Sequence, residues 1–292
     1  MQDGTARVER AVGLVTSDDG TEIFYDERTP AGADGPTILL VHGWAQCSRA
    51  WEPLIPELTA AGRRVVAVDL RGHGYSSVPD GPDAFTSDRW AADLAAVRAS
   101  IEGPVVLVGW SYGGLAIADH LAERGTEGVA GVVLIGAITS IGGDESGAFP
   151  GGVVGETMAA ALPDALSARP GKAIAGLSRL RIMPPAPEFG ALAQQQFGYA
   201  LATPATVRGG LFRRTVDHDA DLASWTFPVL VQHGTADAVV APSVARHHAA
   251  MLPDAELDLW EGTGHAPFAE DPRRCADALL EHASRAHSRG GV

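Results

Sequence analysis

The feature that most constrains this chain is Gly109-Trp110-Ser111-Tyr112-Gly113, a G-x-S-x-G set between two segments of different periodicity. Before it runs Val105-Val106-Leu107-Val108, bounded by Pro104, an apolar stretch of the kind buried on both faces of a parallel sheet. After it, Leu115, Ile117, Ala118, Leu121 and Ala122 fall on one side of a helix. A passage from strand to helix in so few residues brings backbone against backbone, so side chains at 109 and 113 would collide. The spacing predicts a strained Ser111 whose hydroxyl stands above the sheet, at a helix N-terminus that favours developing negative charge. That is the setting of a nucleophile.

The same alternation extends along the chain. Ala11–Thr16 and Thr21–Glu27 flank Ser17-Asp18-Asp19-Gly20 and predict a hairpin. Further strands are predicted at 37–41, 64–68, 129–135, 228–232 and 256–260, with helices at 48–60, 87–101, 242–251 and 272–286. Strands without polar alternation, separated by helices, predict an α/β fold with a mostly parallel sheet covered on both faces. The pattern stops near Ile138. Residues 139–222 carry Gly142-Gly143, Gly151-Gly152 and Pro184-Pro185-Ala186-Pro187 between helical stretches at 155–162 and 188–201. A loop of that length does not suit a compact domain. The expected organisation is therefore a core of residues 1–138 and 223–292 with a helical cap at 139–222.

A serine hydroxyl needs a base, and the base needs a third group to fix its tautomer. Active groups on such sheets gather at the carboxyl ends of strands. His265, in the glycine-rich loop after the strand ending at Trp260, is the expected base. Asp237, in His233-Gly234-Thr235-Ala236-Asp237 after the preceding strand, is the expected acid, and the order Ser, Asp, His suits the fold. Asp217, Asp219 and Asp221 precede that strand, and Gly136-Ala137-Ile138 offers no rival carboxylate. Two amides should hold an oxyanion, those of Tyr112 and of Trp44 in the loop after residues 37–41. Trp44, Tyr112, Ile138, Phe197, Val239 and Phe268 are the expected substrate-binding side chains, with Trp110 turned toward the sheet packing.

Composition narrows the partners. A net charge of −14 repels nucleic acid and anionic membrane. Cys47 and Cys275 are too few for a disulfide framework or a cysteine metal site, and the proposed chemistry calls for no metal or cofactor. No leader-like or membrane-spanning run is present, so a cytoplasmic chain is expected.

His42-Gly43-Trp44, Asp69-Leu70-Arg71-Gly72-His73-Gly74-Tyr75-Ser76, Gly109–Gly114, His233–Asp237 and Gly264-His265 together resemble the α/β-hydrolase fold superfamily over roughly residues 12–286. The resemblance implies an eight-stranded, mostly parallel sheet with a cap between strands six and seven. Within the superfamily the chain is similar to small serine esterases and cofactor-free haloperoxidases or perhydrolases. That branch often has proline after the oxyanion-loop aromatic, where this chain has Ala45, a departure that counts against perhydrolysis. The expected activity is hydrolysis of an ester, lactone or related acyl bond. A carbon–carbon bond hydrolase on the same triad and a small-molecule receptor on the same scaffold are the alternatives. Apolar residues of the cap, and no basic cluster beside the motifs, predict a neutral and largely apolar small-molecule substrate.

Overall fold

The β-branched runs become the inner strands of one eight-stranded sheet. The computed structural model describes residues 7–143, 152–167, 169–180 and 189–290. In chain order the strands are β1 (Val8–Thr16), β2 (Glu22–Pro30), β3 (Thr37–Val41), β4 (Val65–Val68), β5 (Val105–Trp110), β6 (Val129–Ile135), β7 (Val229–Gly234) and β8 (Ala255–Trp260). They lie in the order β1-β2-β4-β3-β5-β6-β7-β8. β1 and β2 run antiparallel to their neighbours at one edge, and all other pairings are parallel.

Side chains alternate across a strand, so each inner strand feeds two cores. Leu39, Val41, Val105, Leu107, Val132 and Leu134 point to one face. There they meet α2 (Ser87–Ala99) and α3 (Tyr112–Arg124), while Ile38, Leu40, Val106, Val108, Val133 and Ile135 point to the other. The second face is covered by α1 (Ile55–Ala60) and by two helices after β8. Burying each such valine or leucine is worth about 1.5 to 3 kcal/mol, which is why polar alternation is missing from these strands.

Between β6 and β7 lie α4 (Glu156–Ala165), α5 (Gly171–Leu180), α6 (Gly190–Ala202), α7 (Ala205–Gly210) and α8 (Asp219–Leu222). Met158, Ile174, Leu177, Ala200, Val207 and Leu211 of this insertion join the first core. Its two ends are stapled by an antiparallel bridge, in which Ile141 and Val216 exchange both amide–carbonyl hydrogen bonds at 2.8 Å. After β7 follow α9 (Pro242–Met251), α10 (Pro267–Glu270) and α11 (Pro272–Gly290).

Two local features differ from expectation. The predicted helix at 48–60 is a 3-10 turn at Ser48–Trp51 followed by α1. Pro53 and Pro56 have no amide hydrogen to continue a single helix, and Pro56 sits in the first turn of α1, where none is needed. Helix α5 lies where the sequence predicts no helix: it is short, Gly171 and Gly176 are poor helix formers, and its buried apolar residues are Ile174 and Leu177. The proline cluster 184–187, Phe149, Gly151, Met183 and the side chain of Leu180 lie outside the described residues.

Candidate active site

Ser111 occupies the turn between β5 and α3 with φ 55° and ψ −121°. Such a conformation costs about 1 to 3 kcal/mol for a residue with a side chain. The surroundings impose it. A Cβ at Gly109 would come within 2.7 Å of the Gly114 amide nitrogen, and one at Gly113 would run into the Val41 carbonyl oxygen. The Ser111 amide donates to the Ile135 carbonyl at 3.1 Å, and its own carbonyl accepts from the Gly114 and Ile138 amides at 3.0 and 3.2 Å. The turn is thereby tied to the end of β6, and the serine stands at the first turn of a 13-residue helix.

Asp237 and His265 meet over the ends of β7 and β8. His265 Nδ1 lies 2.7 Å from Asp237 Oδ2, and both residues are buried. The amides of Val239 and Val240 donate to Oδ1 at 2.7 and 3.0 Å. Burial pushes the carboxyl pKa up, but the charge and hydrogen bond of His265, with those of His233, overcome it and hold Asp237 well below the usual range. The acid is therefore ionised at neutral pH. The His265 loop is fixed from two sides, its carbonyl accepting from the Trp110 indole at 2.8 Å and the preceding Gly264 amide donating to Glu270 at 2.8 Å. Gly136, at the end of β6, packs so closely that a Cβ there would sit 3.1 Å from His265 Nδ1. Of the aspartates before β7, Asp219 binds His247 of α9 and Asp221 binds His218.

The loop after β3 presses on the serine. A Cβ at Gly43 would approach Ser111 Cβ to 2.8 Å. His42 shapes this loop, since its Nδ1–H donates to the Gly43 carbonyl at 2.8 Å while Nε2 accepts the Leu70 amide at 3.0 Å. Only a neutral imidazole can do both, and burial lowers its pKa to about 4. The Trp44 amide follows directly, and Tyr112 stands at the first position of α3, where an amide has no partner within its own helix. Ala45 takes φ 53°, a left-handed conformation.

Ser111 and His265 open into one cavity with about 30 Å3 of room, enough for roughly two waters. Its other walls are apolar. Trp44, Tyr112, Ile138 and Val239 line it as expected from sequence, joined by Val240 and by Val154, Met158, Leu177 and Phe212 of the insertion. Met158 and Phe212 are among the large apolar residues of the insertion expected to roof Ser111, whereas Val154 and Leu177 carry no such signal, because an insertion without regular periodicity does not disclose which residues meet the strand ends.

Two expected pocket residues are elsewhere. Phe268 is buried on the opposite face of the sheet, with ring centroids 4.4 Å from Trp51 and 5.0 Å from Trp110. Pro267 starts α10 at once and swings the next side chain away from the cavity. Phe197, on α6, packs against the first core and does not line the cavity. Trp110 does both things at its position, joining the second core and touching the cavity edge.

Behind the cavity, a buried charge cluster ties the insertion to α3. Arg214 donates to both oxygens of Asp119 at 2.6 and 2.7 Å and to the Tyr112 hydroxyl at 2.9 Å. His218 Nε2 lies 2.9 Å from the same carboxylate. Burial raises the Tyr112 phenol to about 12, so it remains a neutral hydrogen-bonding group. Among the described residues no group of three or more histidine, cysteine or acidic side chains could hold a metal ion, and no helix is long and apolar enough to cross a membrane.

Known proteins share this arrangement of chain. The crystal structure of esterase RhEst1 from Rhodococcus sp. ECU1013 superimposes with a TM-score of 0.85 at 42% identity, over 94% of this chain and 98% of that one. A non-heme chloroperoxidase, CPO-A1, from Kitasatospora aureofaciens is 32% identical over 86% of this chain and 91% of its own length. A pimeloyl-[acyl-carrier protein] methyl ester esterase from Aromatoleum aromaticum is 31% identical over 86% of this chain and 98% of its own. Residues 38–278 match the sequence model of the alpha/beta hydrolase family, and the chain belongs to that family.

Proposed function

We propose that the protein hydrolyses a carboxylic ester, lactone or related acyl bond of a neutral, largely apolar small molecule. The observation that carries this is that His265, paired at 2.7 Å with the buried Asp237, and the strained Ser111 line one apolar cavity. Ser111 Oγ attacks the acyl carbonyl carbon while His265 Nε2 takes its proton. Asp237, ionised, keeps the Nδ1 proton on His265 and supports the imidazolium as it forms. The amides of Trp44 and Tyr112 receive the oxyanion, whose charge also faces the N-terminus of α3. His265 protonates the departing alcohol, then draws a proton from water, which attacks the acyl-enzyme and frees Ser111. Esterase names among the relatives support this reading.

Perhydrolysis is a second reading, raised by the chloroperoxidase relative. The φ of 53° at Ala45 counts against it, since a proline ring fixes φ near −65° and could not replace Ala45 without remaking the loop. The test is a panel of chromogenic esters and lactones, with Ser111→Ala as control, together with labelling by a fluorophosphonate. Turnover and labelling that both vanish in Ser111→Ala are the expected result. No labelling of the wild type would favour a passive receptor on this scaffold.

A further inference from the structure

Asp237 has a second histidine on it, and the chemistry above leaves that residue unused. His233 is the penultimate residue of β7, buried and 1% exposed. Its Nε2 lies 3.1 Å from Asp237 Oδ2 and 3.1 Å from the Val240 carbonyl oxygen. A carbonyl can only accept, so Nε2 carries a proton, and Asp237 Oδ2 lies as close to that nitrogen as the Val240 oxygen does. Asp237 is thus held at four places: two amides on Oδ1, and His265 and His233 on Oδ2. The titratable groups bearing on it are these two histidines. The strand end that carries His233 is also wedged against the base loop, since a Cβ at Gly234 would run into the Thr263 and Gly264 carbonyl oxygens.

We propose that His233 is a positioning residue for the acid of the triad, its Nε2–H fixing Asp237 Oδ2 and drawing off part of its charge. The proposal rests on the Ser-His-Asp reading above. A carboxylate that shares its charge with a second donor still orients His265, but it stabilises the imidazolium less strongly. Removing the donor concentrates charge on Oδ2, strengthens its hold on the imidazolium, and moves the acid limb of the rate profile upward.

The test uses His233→Leu, which fills the space without a donor, and His233→Gln, whose amide can stand near the place of Nε2. His233→Met serves as a second donor-free variant if leucine melts below the assay temperature. The donor-free variants should lose about tenfold or more in kcat with KM within about twofold, because a carboxylate freed from one of its four holds no longer keeps His265 in line with Ser111. Their kcat–pH profiles should shift to higher pH, and His233→Gln should recover most of both effects. An unshifted acid limb, or leucine and glutamine equally impaired in step with lost thermal stability, would overturn the proposal. Asp237→Asn is the control that separates the two levels: if it remained fully active, the triad reading itself would fall, and the role of His233 with it.

Discussion

The indole of Trp44 meets the ring of Phe212 edge on, with centroids 5.6 Å apart and planes at 74°. One ring follows β3 and the other belongs to the insertion, so the contact closes the cavity beside Ser111 from two distant parts of the chain. The indole N–H also donates to the Arg208 carbonyl at 3.1 Å, which fixes the wall in place.

Phe212→Ala should therefore enlarge the cavity and raise kcat/KM for bulky esters relative to acetyl-sized ones by about tenfold, the scale of a few methylenes in a pocket. Phe197→Ala is the contrasting variant. Phe197 lies outside the cavity, so its loss should lower stability by roughly 2 kcal/mol or more without altering the preference. A substrate-length series on both variants decides; a shared, uniform fall in rate would make Phe212 a packing residue only.

Ser111→Ala and His265→Ala should each remove nearly all turnover while the fold survives. The groups act as a unit, so the double variant should be little worse than either single one. Additive losses in the double variant, measured at saturating ester, would contradict a shared mechanism.

Arg214→Met should destabilise the protein by about 3 to 5 kcal/mol, because it strands the fully buried Asp119 carboxylate with only His218 as a charged partner. Urea melts measure this directly. A variant as stable as wild type would mean that the cluster does not depend on its guanidinium.

Stability should peak near neutral pH. Burial lowers His42 to about 4, His282 to about 4 and, with His42 close by, His73 to about 3, from an ordinary 6.5. Between 6.5 and those values the unfolded chain binds more protons, so stability falls as pH drops through that window. Each histidine contributes a slope of up to about 1.4 kcal/mol per pH unit. His218 acts oppositely: burial works against its charge, but Asp119 and Asp221 raise its pKa. Its contribution is complete below 6.5 and is lost as pH climbs above that. Thermal melts from pH 5 to 8 should trace a dome, and a rising Tm toward pH 5 would contradict the assignment.

The sheet was legible because burial on both faces leaves a plain mark. Thr37–Val41, Val129–Ile135 and Pro242–Met251 have the bounds that their apolar runs and flanking breakers indicate. The positions of Ser111, Asp237 and His265 were legible for a related reason: each follows a strand end that sequence can locate. Pocket walls were harder. Phe268 stands three residues from His265, yet the proline between them sends it through to the other face, a choice made by tertiary packing. Val154, Met158, Leu177 and Phe212 reach the cavity from four places in the insertion, and no local pattern encodes that convergence. His233 did carry a signal, four residues before Asp237 and at the end of the strand that Asp237 follows. What sequence could not say was that its ring turns back onto the carboxylate rather than into the core.

The bridge between Ile141 and Val216 has a consequence for engineering. Residues that exchange both backbone hydrogen bonds sit about 5.5 Å apart at Cα, so the insertion leaves and re-enters the core at neighbouring points, and it touches the core backbone again where Val154 bridges Val240. Neither the serine elbow nor the Asp237–His265 pair is drawn from the insertion. A foreign segment spliced between Gly143 and Arg213 would keep the Ile141–Val216 bridge and the Arg214 anchor, and would exchange the walls contributed by Val154, Met158, Leu177 and Phe212 in one step. The segment between β6 and β7 thus carries pocket wall without carrying Ser111, Asp237 or His265.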